Sequence, residues 1–211
     1  NRIVDSGGEF NFYYQINDQS KLEFGYQIFG NDISHLFNSF NQDIGVVLSL
    51  RQLYNLTHIG FINLNKDIGS WNIHAGLRNN FYSKLKATSL EPRLMLQKAF
   101  SKSLIWNASF EKRSQVLSQV RENATNDLSL ENYVWVLSDN KDYPIQRANQ
   151  FSSGIIFKKN QWLIDIDAYY KNTTGITSFA IDLLTQNDNN FQQGRGFTKG
   201  VDVLLQKSTA T

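Results

Sequence analysis

The 211 residues are 41% hydrophobic and 13% aromatic with only two prolines, a composition that folds and excludes a disordered chain. Lysine and arginine number 21 against 19 aspartate and glutamate, and no block of five like charges occurs, so nucleic-acid binding and a polybasic membrane arm have no support. The absence of cysteine removes disulfide scaffolds, thiolate metal sites, iron–sulfur ligation and thiol catalysis together.

The richest apolar stretch, Ile44 to Leu50, falls far short of the roughly 18 residues a spanning helix requires. A helical membrane protein is excluded and a β-barrel is not. Asn1 to Asp5 show no basic region followed by an apolar one, so no signal peptide is expected within these residues.

Taken in chain order, the elements alternate faces with the period of two that marks a strand. Phe10, Phe12, Tyr14 and Ile16 alternate with Glu9, Asn11, Tyr13 and Gln15, and after a polar turn Leu22, Phe24, Tyr26 and Ile28 resume the pattern. The same grammar returns at Trp71 to Leu77, Leu104 to Phe110, Trp162 to Tyr170 and Phe197 to Leu205. The expected strands lie near 8–16, 22–30, 44–64, 70–82, 90–100, 104–112, 148–158, 162–172 and 195–206, and the fold class is all-β.

Short connections at Asn17 to Lys21, Asn65 to Gly69, Ser101 to Ser103 and Lys159 to Gln161 alternate with longer ones at Asn31 to Asp43, Ser83 to Ser89, Arg113 to Arg147 and Thr173 to Gly194. Strict alternation puts all short turns at one end of an antiparallel sheet, the asymmetry of an outer-membrane barrel with periplasmic turns and extracellular loops. It requires Ile44 to Leu64 to be one long strand, or a strand plus part of a loop. Aromatics near strand ends (Trp71, Phe81, Tyr82, Trp162, Tyr169, Tyr170) would supply the interfacial girdle. Two alternatives remain open on the pattern alone: a smaller barrel acting as porin or adhesin, and a soluble all-β ligand-binding module. An odd number of strands leads us to expect a section of a larger barrel, the whole of residues 1–211 being part of one β-barrel domain.

Leu90-Glu91-Pro92-Arg93-Leu94, with the hairpin strand Leu104 to Ser109 after it, resembles the "EPR" strand of TonB-dependent outer-membrane receptors in the form common in Bacteroidetes. His58 to Ile62 and Ala75 to Phe81 resemble the hairpin before it. Trp135 to Ser138, Gln150 to Ile155, Ala168 to Lys171, Gly194 to Gly196 and Gly200 to Lys207 follow in the family's order. The resemblance implies about nine strands of a 22-stranded barrel that encloses a plug and is energised by TonB, with outer-membrane lipid around it and, in some relatives, a surface lipoprotein above it. Plug, signal peptide and final strands are expected outside these residues. The implied role is active uptake of a scarce solute, whether siderophore, vitamin, oligosaccharide or peptide.

Pro92 removes a ladder donor and so predicts an edge, a strand start or a bulge. Glu91 and Arg93 are expected to face the lumen together with Arg78, Glu111 and Lys171, either as ion pairs filling a polar interior or as contacts to plug or solute. Asp165 and Asp167 share a face at a spacing of two, about 6.5–7 Å apart, but nothing near them in sequence builds a catalytic cleft. His35, His58 and His74 lack metal-ligand spacing, and no nucleophile elbow is present, so neither metal, cofactor nor enzymatic activity is expected. Asn187 to Asn190 reads as a loop tip rather than a calcium loop. Solute contact, if any, is expected in the loops, where Tyr133, Trp135 and Tyr143 could stack and Arg121, Lys141 and Arg147 could pair.

Overall fold

The computed structural model describes the backbone of residues 2–41, 44–123, 132–180 and 191–209, and side chains within 3–33, 54–119, 135–178 and 192–209. Eleven strands run in order: β1 (Arg2–Asn17), β2 (Ser20–Asn41), β3 (Ile44–Ile68), β4 (Trp71–Tyr82), β5 (Ala87–Ala99), β6 (Leu104–Gln115), β7 (Leu117–Asn123), β8 (Asn132–Leu137), β9 (Gln146–Lys159), β10 (Trp162–Ala180) and β11 (Phe191–Lys207). Nine form a continuous antiparallel wall in which β9 follows β6 directly and β11 lies beyond β10. These are the nine strands expected from the alternation. The other two, β7 and β8, form a hairpin inside the connection from β6 to β9, and the end of β7 pairs parallel with β10 at Phe179 and Ala180.

The turns of one end are tied side by side. Asp67 N donates to Gln19 O, Ala99 N to Ser70 O, Lys158 N to Ser103 O and Ser208 N to Gln161 O, at 2.8 to 2.9 Å. All the short turns therefore occupy one rim. At the other end two stretches expected as loops are strand: β2 and β3 pair out to Asn41 opposite Ile44, and β10 and β11 pair out to Phe179 opposite Phe191. The reason is that a ladder needs only backbone groups. Outside an apolar layer of about 25 Å the pattern of side chains has no cause to alternate, so the period fades while the hydrogen bonding continues. With about 3.3 Å per residue, β2 and β3 are long enough to rise far beyond such a layer.

Because directly paired residues share a face, the registers sort the wall into two surfaces. One carries Phe12, Phe24, Ile62, Leu77, Leu94, Phe110, Phe151, Tyr170 and their neighbours. It is openly apolar, with Phe10 and Val203 each 67% exposed. The other is laced with polar pairs: Gln27 Nε2 to Glu9 Oε2 at 2.9 Å, Asn31 Nδ2 to Asp5 Oδ1 at 2.7 Å, Asn63 Nδ2 to Glu23 Oε2 at 3.1 Å and Ser109 Oγ to Ser152 Oγ at 2.8 Å. Tyr82 and Tyr169, expected in an outer girdle, lie on this polar face instead. A strand puts neighbours on opposite faces, so Phe81 and Tyr170 take the apolar side and Tyr82 and Tyr169 cannot.

Glycines on the polar face make room for rings from the next strand. Phe61 covers Gly25, where an added Cβ would lie 2.6 Å from the ring and 2.5 Å from the Phe10 carbonyl oxygen. Gly60, on the opposite face, has open space around the same position. We expect Gly25→Ala to destabilise the wall by about 1–3 kcal/mol through overpacking and Gly60→Ala to change it by less than about 0.5 kcal/mol. Urea midpoints of the two variants in detergent check this, and equal midpoints would refute the packing argument.

Candidate functional site

The site begins at an interruption in the ladder. On its β4 side Pro92 pairs with Leu77 in mid-strand, but on its β6 side the pairing of β5 ends at Arg93 opposite Glu111. Proline has no N–H with which to continue. Beyond this point β6 stays paired with β9, as far as Gln115 opposite Gln146, and turns toward the carboxylate of Glu91 instead of the β5 backbone. Glu91 Oε1 accepts the Ser114 backbone N–H at 2.7 Å and also the Ser114 hydroxyl. Tyr82 Oη lies 2.7 Å from Ser114 Oγ, and Asn80 Nδ2 donates to the same oxygen at 3.4 Å. A side chain thus replaces a strand as partner, and Glu91, 6% exposed, has no need of an arginine to satisfy it.

Two polar hollows flank this point. One, of about 440 Å³, lies over the break and is lined by Arg78, Glu91, Arg93, Arg113 and Ser114 among others. The second, of about 410 Å³, includes Glu111, Arg113, Arg147, Gln150, Lys171 and Thr173. Arg113 Nε pairs with Glu111 Oε2 at 2.8 Å, and Arg78 Nε donates to Asn80 Oδ1 at 3.0 Å. The pair leaves Arg147 and Lys171 in excess at the second hollow. Registers put Arg78, Glu91, Arg93, Glu111 and Lys171 on the polar face in neighbouring strands.

Above the hollows the chain from β6 to β9 folds back onto the polar face. Val116, Leu137 and Ile145 from this connection pack with Ile33 of β2 and Tyr82 of β4, flanked by Leu85, Ala87 and Leu117. Asp139 Oδ1 accepts three successive backbone N–H groups, from Lys141, Asp142 and Tyr143, each at 2.9 Å, fixing a tight polar turn. The turn is anchored on both sides: Asn140 Nδ2 donates to Leu85 O at 3.5 Å, and Gln193 Nε2 donates to Lys141 O at 2.9 Å. Thr177 Oγ1 adds a bond to Asp142 O at 3.3 Å.

The six loop residues expected to contact solute separate here, with Lys141 exposed in the turn capped by Asp139. Arg147 is exposed and lines the second hollow, and Trp135 is half-buried on β8. Tyr143 is 2% exposed, so its ring packs inside the connection and is not offered to a solute, a correction to the expectation for that residue. Arg121 and Tyr133 pair opposite one another in the β7–β8 hairpin; their side chains lie outside the described residues, as do Asn187 to Asn190 altogether. Asp165 and Asp167 share the polar face, paired with Leu204 and Asp202, and Asp165 Oδ1 is buried without a hydrogen-bond partner. His58 and His74 take opposite faces. His58 meets Tyr26 Oη at 2.5 Å on the apolar side, while His74 bonds Asn65 on the polar side, so the two do not approach. No group of three metal-ligating side chains occurs among the described residues.

Sequence reasoning did not single out Ser114 or Arg113. No motif marks Ser114, whose role depends on where β5 lets go of β6. Arg113 sits two residues from Glu111, the spacing that keeps two strand residues on one face, and that signal was legible.

No family model and no curated protein matches the sequence. Solved structures do. The siderophore receptor PirA from Pseudomonas aeruginosa superposes with a TM-score of 0.66 at 10% identity, over 97% of this chain and 43% of that one. The FrpB iron transporter from Neisseria meningitidis gives 0.64 at 12% identity over 99% and 33%, and the RagAB peptide transporter 0.62 at 12% over 98% and 28%. The chain spans less than half the length of these proteins. What is shared is the fold: the nine antiparallel strands of this chain superpose on part of the β-barrel wall of these receptors and transporters.

The bonds at Glu91 yield a direct expectation. Ser114→Ala removes the hydroxyl shared by Glu91, Tyr82 and Asn80, at a cost of about 1–3 kcal/mol, and should speed amide hydrogen exchange across residues 113–117 while leaving residues 104–110 unchanged. Uniform exchange along β6 would show that the carboxylate does not hold this segment.

Proposed function

We propose that this chain is wall from a TonB-dependent receptor, of the form common in Bacteroidetes, which draws a scarce solute actively across the outer membrane of a Gram-negative bacterium. The match of the whole nine-stranded wall to receptor and transporter barrels carries the reading. The apolar face is then the lipid contact and the polar face the lumen, where a plug would sit and move when TonB pulls on it. The polar face is suited to that role because the carboxylates of Asp5, Glu9, Glu23, Glu91 and Glu111 already have partners within the wall, so a plug can slide past without leaving these unsatisfied.

Solute contact is proposed at the long-strand end. Trp135 and the backbone neighbours Arg121 and Tyr133 belong to the hairpin that overlies the polar face, and Arg147 and Lys171 face the hollow beneath it. Two cations beyond the Glu111–Arg113 pair favour a solute with negative charge. The proteins matched are titled for siderophores, iron and peptides; for this chain the class stands among siderophore, vitamin, oligosaccharide and peptide. A surface lipoprotein is a further partner of this reading.

The test uses the full-length protein in its own outer membrane and follows accumulation of labelled ferric siderophore, vitamin, oligosaccharide and peptide. Uptake of one class should stop when TonB is deleted or the proton gradient is collapsed. Arg147→Gln with Lys171→Gln should weaken binding of that solute by about tenfold or more, as expected for lost charged hydrogen bonds. Accumulation that persists without TonB would identify a passive pore instead.

A further inference from the structure

At the short-turn rim the apolar face ends in a group of side chains that the solute path does not use. Trp71 of β4, Lys98 of β5 and Trp106 of β6 are direct partners in register. The two indoles meet edge to face at 6.1 Å, and the Lys98 ammonium lies 4.7 Å from the Trp71 ring and 5.1 Å from the Phe100 ring. Trp106 Nε1 donates to Ser153 Oγ at 3.0 Å, which fixes the indole. Beside the ammonium runs a groove of about 290 Å³ lined by Trp71, Lys98, Phe100, Leu104, Trp106 and Ile155. Apart from the one ammonium its walls are aromatic and aliphatic.

The neighbouring turns continue the charge. Lys102, Lys158 and Lys159 line a hollow between the β5–β6 and β9–β10 turns, and Lys207 lies 5.1 Å from the Trp162 ring. No aspartate or glutamate occurs in 96–106, 155–164 or 203–209, so five lysines share this arc without an acid from the same segments. Tryptophans at a bilayer surface sit at the level of the headgroups, lysines reach out to the same level along their aliphatic stems, and the short turns of such barrels face the periplasm.

We propose that the groove binds one anionic phospholipid of the periplasmic leaflet, its phosphate on Lys98 and an acyl chain lying against Leu104, Trp106 and Ile155. Charge complementarity selects this occupant. A zwitterionic headgroup brings its own ammonium into a surface that is already cationic, whereas phosphatidylglycerol brings only the phosphate and hydroxyls. The adjoining Lys102 and Lys159 strengthen the field without closing the groove. This proposal rests on the outer-membrane reading given above.

The full-length protein is reconstituted into vesicles of equal phosphatidylglycerol and phosphatidylcholine, extracted in mild detergent, and the retained lipid identified by native mass spectrometry. Phosphatidylglycerol should exceed phosphatidylcholine by about fivefold or more, the factor one interfacial lysine supplies. Lys98→Gln should bring the ratio close to one, Lys98→Arg should preserve it, and Lys21→Gln on the polar face should leave it unchanged. Equal retention by the unaltered protein, or an unaltered ratio in Lys98→Gln, overturns the site. Failure of the protein to float with the vesicles would instead overturn the outer-membrane reading.

Discussion

An antiparallel ladder lets each residue of this wall choose only which of two faces it serves, and almost everything else follows from that. Backbone groups facing hydrocarbon have no water to turn to, so every one must pair with a neighbouring strand. Continuous pairing fixes the register. A slip of one residue would exchange Phe12, Phe24, Ile62 and Leu77 with Glu23, Asn63 and Arg78 between the apolar and the polar face. On the outer-membrane reading proposed above, a lysine or arginine moved to the apolar side costs about 2–4 kcal/mol near the midplane, which makes the alternation itself the specification of the fold. The polar face then has to satisfy its own side chains, and it does so across strands, with amides and hydroxyls bridging to carboxylates. Close approach of neighbouring strands is managed by glycine: where Phe61 lies over Gly25 and Tyr169 over Gly200, a ring fills the space that two side chains could not share.

The same constraint explains why the site sits where it does. A ladder that never broke would leave a smooth polar surface. Pro92 stops pairing on one side, and Glu91 beside it takes over the donor that β6 would otherwise strand. Proline and glutamate at adjacent positions thus perform complementary tasks, one withholding an N–H and the other accepting one. The consequence is steric as well as chemical. Once β6 leaves β5, the chain has room to turn inward, and Val116, two residues after Ser114, becomes part of the small core formed with Ile33, Tyr82, Leu137 and Ile145. One of the basic hollows lies over that departure, and Arg113 of β6 lines both.

How much of this was legible in the sequence differs by element. The nine wall strands could be read because an apolar and a polar face impose a period of two on their side chains, and the short turns because few residues separate one period from the next. The outer part of β3 was read as strand within 44–64, whereas those of β2, β10 and β11 were not, since Asn31 to Asn41 and Thr173 to Ala180 show no period of two although they pair through backbone groups. The β7–β8 hairpin left a partial trace in the β-branched and aromatic run Tyr133 to Leu137, without which its connection looked like open loop. At the site, Glu91, Arg93, Glu111 and Arg78 were readable as a polar face because their spacing is even. Ser114 was not, because its function is set by a break in pairing between strands and not by any local pattern. Tyr143 shows the opposite failure: aromatic and basic neighbours suggested a surface for solute, but the turn capped by Asp139 folds the ring inward.

The two ends of the wall solve different problems with different chemistry. At the short-turn rim, connections are brief and the exposed apolar face passes into tryptophan and lysine, and this rim is held by lateral backbone hydrogen bonds. At the other end, β2 with β3 and β10 with β11 remain paired by their backbones, and side chains tie these pairs to the rest of the wall. The connection from β6 to β9 does this by reaching across: it packs on Ile33 and Tyr82 at one side, bonds the β4–β5 turn through Asn140, and meets β10 and β11 through Thr177 and Gln193. A few buried side chains and a handful of hydrogen bonds to exposed partners are a weak clamp compared with a ladder of a dozen rungs, and weakly held segments are the ones that open first. The segment overlying the polar face is therefore the part of this wall that opens first.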